Sequence, residues 1–355
     1  MSASILDDPG VFARLDPGGM LADIYGLPEQ CRNAWQAAES IEIPNGEVDK
    51  VVILGMGGSA ISGDIWRVLL QRECAIPVFN VRQYDLPPFV DDRTLVIASS
   101  YSGNTEETLS AFEQSLASPA HKLVVTSGGR LLTEARANGV PSFTFEFDGE
   151  PRAAVGWSLM PLLALSEKLG WMQGVSADLD EAVGTMSELR ESLRETSPCA
   201  SNVAKQLAGR LHEKLPIIYA GWPLTEIAHR WKSQLNESAK VWSFHEELPE
   251  VHHNAIVGIG LPRAIAEGTA VVLLRSVDLV HPRVQMRYHF THQKLTQAGV
   301  DVVEVKTRGN SALAQMMSLI LIGDYVSAYL AFLYGVDPTP TGVIEELRDW
   351  LATQK

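Results

Sequence analysis

The sequence predicts an α/β protein made of two tandem sandwiches, each a mostly parallel five-stranded sheet flanked by helices. Three observations carry that prediction. Short apolar runs recur along the chain, each followed by turn residues and a segment of helical spacing, the signature of βαβ units. The runs form two series, separated by a stretch without strand signals. The length of 355 residues suits two ordinary domains.

Taken in order, residues 20–40 read as an amphipathic helix. Strands are expected at 51–54, 76–81, 94–99, 122–126 and 142–146, with a helix over 64–70 after the first. Residues 156–169 and 179–211 read as helical. A second series opens with a strand at 215–220, a helix within 222–240, and strands at 271–276 and 300–305. The helix 311–333 and a short terminal helix at 344–351 complete it. The expected organisation is an N-terminal domain with a leading helix over 1–156, a helical connector over 157–211, and a C-terminal domain over 212–355.

Composition narrows the function. A formal net charge of −14, with no run of basic residues, argues against a nucleic-acid surface. Three cysteines, Cys31, Cys74 and Cys199, show no CxxC spacing and fit a reducing compartment. Asp7, Asp8 and Asp16 lie where a signal peptide would need a basic start and an apolar run, so none is expected and the protein reads as cytoplasmic. The apolar stretch 316–334 is interrupted by Asp324, which favours a buried helix over a membrane span.

Two loops carry the chemistry. In VVILGMGGSAISGD, Gly55, Gly57, Gly58 and Ser59 lie between a strand and a helix. Glycines there admit close approach of a ligand to the backbone, and the helix start offers unpaired N–H groups to an anion. Gly55, Gly57 and Ala60 also match the dinucleotide pattern G-x-G-x-x-G/A. That reading needs an acidic residue ending the second strand, where Arg82 follows Val81. A later strand ends in SSYSGNTEET, with Ser100, Ser102 and Thr105 clustered before a helix. Such a cluster is what a phosphate monoester needs; capping of the helix is the competing account of any one hydroxyl. Thr126–Gly129 ends a third strand in the same style.

The segments GMGGSAISGD, SSYSGNTEET and VTSGG resemble the sugar isomerase (SIS) domain. EPRAA at 150–154, NESAK at 236–240, HHNAIVG at 252–258 and the tail DPTPTGVIEELR narrow the resemblance to the bifunctional phosphoglucose/phosphomannose isomerases, over nearly the whole chain. The resemblance implies two SIS domains and metal-independent aldose–ketose isomerisation of glucose 6-phosphate or mannose 6-phosphate to fructose 6-phosphate, without a cofactor. It implies that Gly57, Gly58, Ser59, Ser100, Ser102 and Thr105 hold the phosphate. Glu237 matches the base that moves a proton between C1 and C2, and Arg152 the arginine that stabilises the enediolate. His253 matches the ring-opening histidine, which in the family comes from the neighbouring subunit of a homodimer with shared sites. The tandem His252–His253 leaves open which ring faces the site, and the motif match selects His253.

The tail departs from the family pattern: Arg348 stands where a lysine is usual, and arginine's planar fork is not equivalent to an ammonium. Thr341 matches a residue beside the sugar's C1–C2 region or, equally, an N-cap of the terminal helix. His289 and His292 lack accompanying carboxylates or cysteines at ligand spacing, so no metal is expected. Two further classes stay open, a non-catalytic SIS phosphosugar sensor and an isomerase of another phosphosugar. A nicotinamide dehydrogenase is disfavoured by the missing acidic residue.

Overall fold

A computed structural model describes residues 5–43 and 46–354. The chain divides into two compact units: Gly26–Ser187 with Arg308–Met317, called here the first unit, and Met1–Tyr25, Glu188–Thr307 and Ser318–Lys355, the second. The leading residues up to Tyr25 thus group with the second unit. The helical stretch between the two sheets is divided, the boundary falling between Ser187 and Glu188.

The helices are α1 (Pro9–Leu15), α2 (Met20–Tyr25), α3 (Leu27–Ala38), α4 (Gly57–Leu70), α5 (Glu106–Leu116), α6 (Gly129–Ala137) and α7 (Val155–Lys168). They continue as α8 (Val175–Leu193), α9 (Val203–Leu211), α10 (Thr225–Glu237), α11 (Arg263–Glu267), α12 (Pro282–Gln297), α13 (Ala312–Leu333) and α14 (Gly342–Thr353). The single amphipathic helix expected over 20–40 is two helices, α2 and α3, broken at Gly26 ahead of Pro28.

In the first unit, strands β1 (Lys50–Leu54), β2 (Val78–Val81), β3 (Thr94–Ser100), β4 (His121–Thr126) and β5 (Ser142–Thr144) form one parallel sheet in the order β2-β1-β3-β4-β5. Every residue of β3 and four of five in β1 are buried. Parallel strands covered on both faces read as continuous apolar runs, which is why these are plain in the sequence. The chain leaves β1 towards β2 on one side and β3 lies on the other. The strand order therefore reverses between β1 and β3, and ligands of open α/β sheets bind beyond the carboxyl ends of such a pair.

The second unit holds β6 (Leu215–Gly221), β7 (Phe244–Leu248), β8 (Thr269–Arg275) and β9 (Asp301–Lys306), all parallel, in the order β7-β6-β8-β9. Against the five strands expected, four are found among the described residues. One of the four, β7, has no counterpart in the sequence reading. It is an edge strand carrying Glu246 and Glu247, only its last residue is buried, and so it shows no apolar run.

Helix α13 is long and apolar enough to cross a membrane, yet 94% of its apolar window is buried inside the protein. Asp324, which interrupts it, is 4% exposed and is matched by the second unit itself. Arg230 Nη2 and Gln234 Nε2 of α10 each donate to its carboxylate at 2.8 Å, and Trp231 Nε1 donates to Leu319 O at 2.8 Å. These bonds fix α10 against α13. Removing one member of such a buried pair costs about 3–5 kcal/mol. Asp324→Ala should therefore lower the unfolding free energy, measured by denaturant titration, by an amount of that order, while Arg230→Met with Asp324→Leu recovers most of it. A loss below about 1 kcal/mol in Asp324→Ala would show that the pair does not anchor the helix.

Candidate active site

The two loops singled out in the sequence lie at adjacent strand ends in the first unit. Leu54 of β1 pairs in register with Ala98 of β3, so the chain emerges side by side as Gly55–Ser59 and Ser100–Thr105 at the switch point. Helix α4 begins at Gly57 behind Met56, which offers no capping side chain. Helix α5 begins at Glu106 behind Thr105, whose hydroxyl makes no capping bond. It instead meets Ser100 Oγ at 2.9 Å, while Ser100 Oγ accepts from Gly103 N at 3.1 Å and Ser102 Oγ from Asn104 N at 3.2 Å. The hydroxyls thus order the loop and leave the amides opening α5 without a side-chain cap, against the capping account of Thr105. Uncapped helix starts present N–H groups and a positive dipole end, the requirement for an anion.

The third loop braces the second. Gly103 (φ +66°) and Gly129 (φ +69°) sit backbone against backbone: a Cβ on Gly103 would stand 1.8 Å from Gly128 O, and one on Gly129 would stand 2.3 Å from Ser102 O. Leu131 N donates to Gly103 O (2.8 Å), Arg130 N to Asn104 Oδ1 (3.0 Å), and Ser127 N and Oγ both to Tyr101 O (3.0 and 2.6 Å). Thr126 Oγ1 donates to Gly128 O at 3.0 Å. The Gly/Ser/Thr composition that makes Thr126–Gly129 look like a further ligand loop is spent on this support.

Arg152 occupies a 3-10 turn, Pro151–Ala153, and is 3% exposed. Its Nη1 lies 3.0 Å from Glu150 Oε2. The turn abuts the first loop, since a Cβ on Gly58 would be 3.0 Å from Pro151 O. Tyr101 ties the second loop to the same segment, its hydroxyl donating to Phe147 O (2.6 Å) and within 3.0 Å of Gly149 O. Gly57, Gly58, Ser59, Ser100, Ser102, Thr105 and Arg152 therefore converge within one unit. At the end of β2, Arg82 is ion-paired to Asp64 of α4, so the place where a dinucleotide's ribose needs an acid holds a tethered cation.

Glu237, His253, Thr341 and Arg348 belong to the second unit. Glu237 is the last residue of α10. Lys240, in the left-handed region at φ +58°, sends its ammonium back to Glu237 O (2.5 Å) and across to Pro338 O (3.1 Å). Asn236 Nδ2 donates to Val241 O at 2.8 Å. A cation on the terminal carbonyl suits the negative end of the helix dipole, and the same bond ties the Glu237 turn to the tail. Lys240 stands within the NESAK segment, but nothing in the sequence gives it this role.

The histidine pair separates cleanly. His252 is half-buried, with Nε2 2.7 Å from Thr291 Oγ1 and Nδ1 3.0 Å from Arg287 Nη1. Burial, then the Arg287 cation, then His253 hold its pKa below the ordinary histidine value. His253, ending the turn Glu250–His253, is exposed, and its ring makes no hydrogen bond among the described residues.

A bifunctional phosphoglucose/phosphomannose isomerase of Caldicellulosiruptor bescii is 42% identical over 339 residues, 95% of this chain and all of that protein. This chain belongs to that family. A relative of the same description from Aquifex aeolicus is 37% identical, over 85% of this chain and 90% of its own length. The model of the bacterial phospho-glucose isomerase C-terminal SIS domain matches residues 200–351. A hypothetical protein of Thermus thermophilus shares the fold with a TM-score of 0.75 at 17% identity, covering 97% of this chain and 93% of its own.

Two residues expected to contact the substrate in this isomerase family, Thr341 and Arg348, lie at and within α14. Thr341 holds the N-cap position of α14, but its hydroxyl makes no capping bond, against the account of it as a side-chain cap. Arg348 is exposed on α14, a helix without a buried residue.

Proposed function

We propose that this chain is a phosphosugar aldose–ketose isomerase that interconverts glucose 6-phosphate and mannose 6-phosphate with fructose 6-phosphate. The observation that carries the proposal is the pair of uncapped helix starts, α4 and α5, side by side at the switch point with ordered hydroxyls between them. Gly57, Gly58, Ser59, Ser100, Ser102 and Thr105 would bind the phosphate monoester through amides and hydroxyls. Glu237 removes the C2 proton of the open-chain aldose and returns it at C1, while Arg152 faces the oxygen on which negative charge develops. Glucose and mannose phosphates differ only at C2, which is planar in the enediol, so one base serves both when the C2–C3 bond rotates to present either face.

His253 is the proposed ring-opening residue, in a neighbouring subunit's site of a cytoplasmic homodimer. What supports it over His252 is that both nitrogens of His252 are engaged and those of His253 are not. Sharing has a quantitative test. If Glu237→Gln and His253→Ala proteins exchange subunits freely, half the dimers are mixed and each has one intact site of two, so activity returns to about a quarter of wild type. No recovery after proven exchange would remove the shared site.

The reading as a whole is tested by giving the purified protein glucose 6-phosphate and mannose 6-phosphate separately and measuring fructose 6-phosphate. Both are expected to react, and prolonged chelation is expected to leave the rates unchanged. Turnover of neither sugar would overturn the reading, and chelator-sensitive activity restored by zinc would overturn metal independence.

A further inference from the structure

We propose that Gln30, on α3, is a positioning residue for the reaction: it sets the place of Arg152 by holding both ends of the chain that flanks it. This rests on the role given to Arg152 above. The helix after Arg152, α7, begins behind Ala154, a residue with no side chain to cap it. Its first amides need acceptors from elsewhere. Gln30 supplies one: Gly156 N donates to Gln30 Oε1 at 2.7 Å. The other end of the same amide, Nε2, donates to Ala153 O at 3.0 Å.

One side chain thus bonds the residue after Arg152 and the second residue of α7, reaching 126 positions along the chain to do so. It is 7% exposed, where an unsatisfied amide is costly, so the geometry is held by both bonds together. The fit also explains Gly156, where a Cβ would come within 2.7 Å of Gln30 Oε1. From the other side the turn is limited by Gly58, against which Pro151 O packs. The Arg152 backbone is therefore clamped between α3 and the start of α4. Gln30 is far from the two phosphate loops in sequence and bonds neither, so its loss should be felt at Arg152 and not at the phosphate.

The test is a kinetic cycle on the full-length protein. Gln30→Met keeps the volume and removes both bonds, and Gly156→Ala displaces the amide without removing it, so it carries the test if Gln30→Met does not fold. Each is expected to lower kcat about tenfold or more, as a catalytic group misplaced by a fraction of an ångström does. The inhibition constant of inorganic phosphate should stay within about twofold, since the phosphate loops are untouched. In an Arg152→Ala background the same changes should cost less than about a further twofold, because the group they position is gone. Loss by the same factor in both backgrounds, or a kcat within about twofold of wild type for the folded single variants, would overturn the proposal. Full activity of Arg152→Ala alone would instead overturn the role of Arg152 and this inference with it.

Discussion

Glu237→Gln is expected to lower kcat for fructose 6-phosphate by roughly 10²–10⁴-fold, the contribution of a general base positioned on a reacting carbon. The amide keeps the shape of the side chain and its place at the end of α10, and the Lys240 bond is to the backbone carbonyl, which the change leaves intact. KM and the inhibition constant of inorganic phosphate should therefore move by no more than a few-fold. Exchange of the C1 proton of fructose 6-phosphate with solvent deuterium, followed by NMR, should vanish along with turnover. Isomerisation retained within about tenfold would take the base role away from Glu237.

Gly103→Ala is expected to destroy the second phosphate loop. An added methyl would lie 1.8 Å from Gly128 O, a backbone atom that cannot swing aside as a side chain can. The residue also stands at φ +66°, where alanine is disfavoured by about 1 kcal/mol. One of the two loops must move, and both are already bonded to each other through Leu131 N, Arg130 N and Ser127. A displacement near 1 Å at a binding site costs on the order of 10²-fold. Since the loop contacts phosphate in both ground and transition states, the loss should appear mainly as a raised KM for both sugar phosphates and a matching rise in the phosphate inhibition constant. An alanine variant with unchanged KM would show that this loop does not hold the phosphate.

Much of the framework can be read without coordinates because the relevant signals are local. Strands β1, β3 and β8 each carry a continuous apolar run along most of their length, as buried parallel strands do. The loop Gly55–Ser59 combines glycine and hydroxyl residues at the point where the chain turns from strand to helix, and Ser100–Thr105 does the same. Asp324 marks its helix as buried rather than membrane-spanning, though nothing nearby in sequence names Arg230 and Gln234 as its partners. Edge strand β7 is invisible because it is largely uncovered and its two glutamates erase the apolar run. The break at Gly26 is hidden because the helical spacing runs on through it into α3.

By itself the sequence determined the class of fold, the two loops at the strand ends and the family to which the chain belongs. Those follow from runs and motifs a few residues long, in which backbone preference and side-chain chemistry act on neighbours. The tertiary structure alone decided that Thr126–Gly129 braces a loop, that His252 is occupied while His253 is exposed, and that Gln30 holds the turn bearing Arg152. Each of these is a hydrogen bond or a close approach between segments tens of residues apart or more. Such pairings come from how the sheet and helices pack, and no periodicity along the chain encodes them.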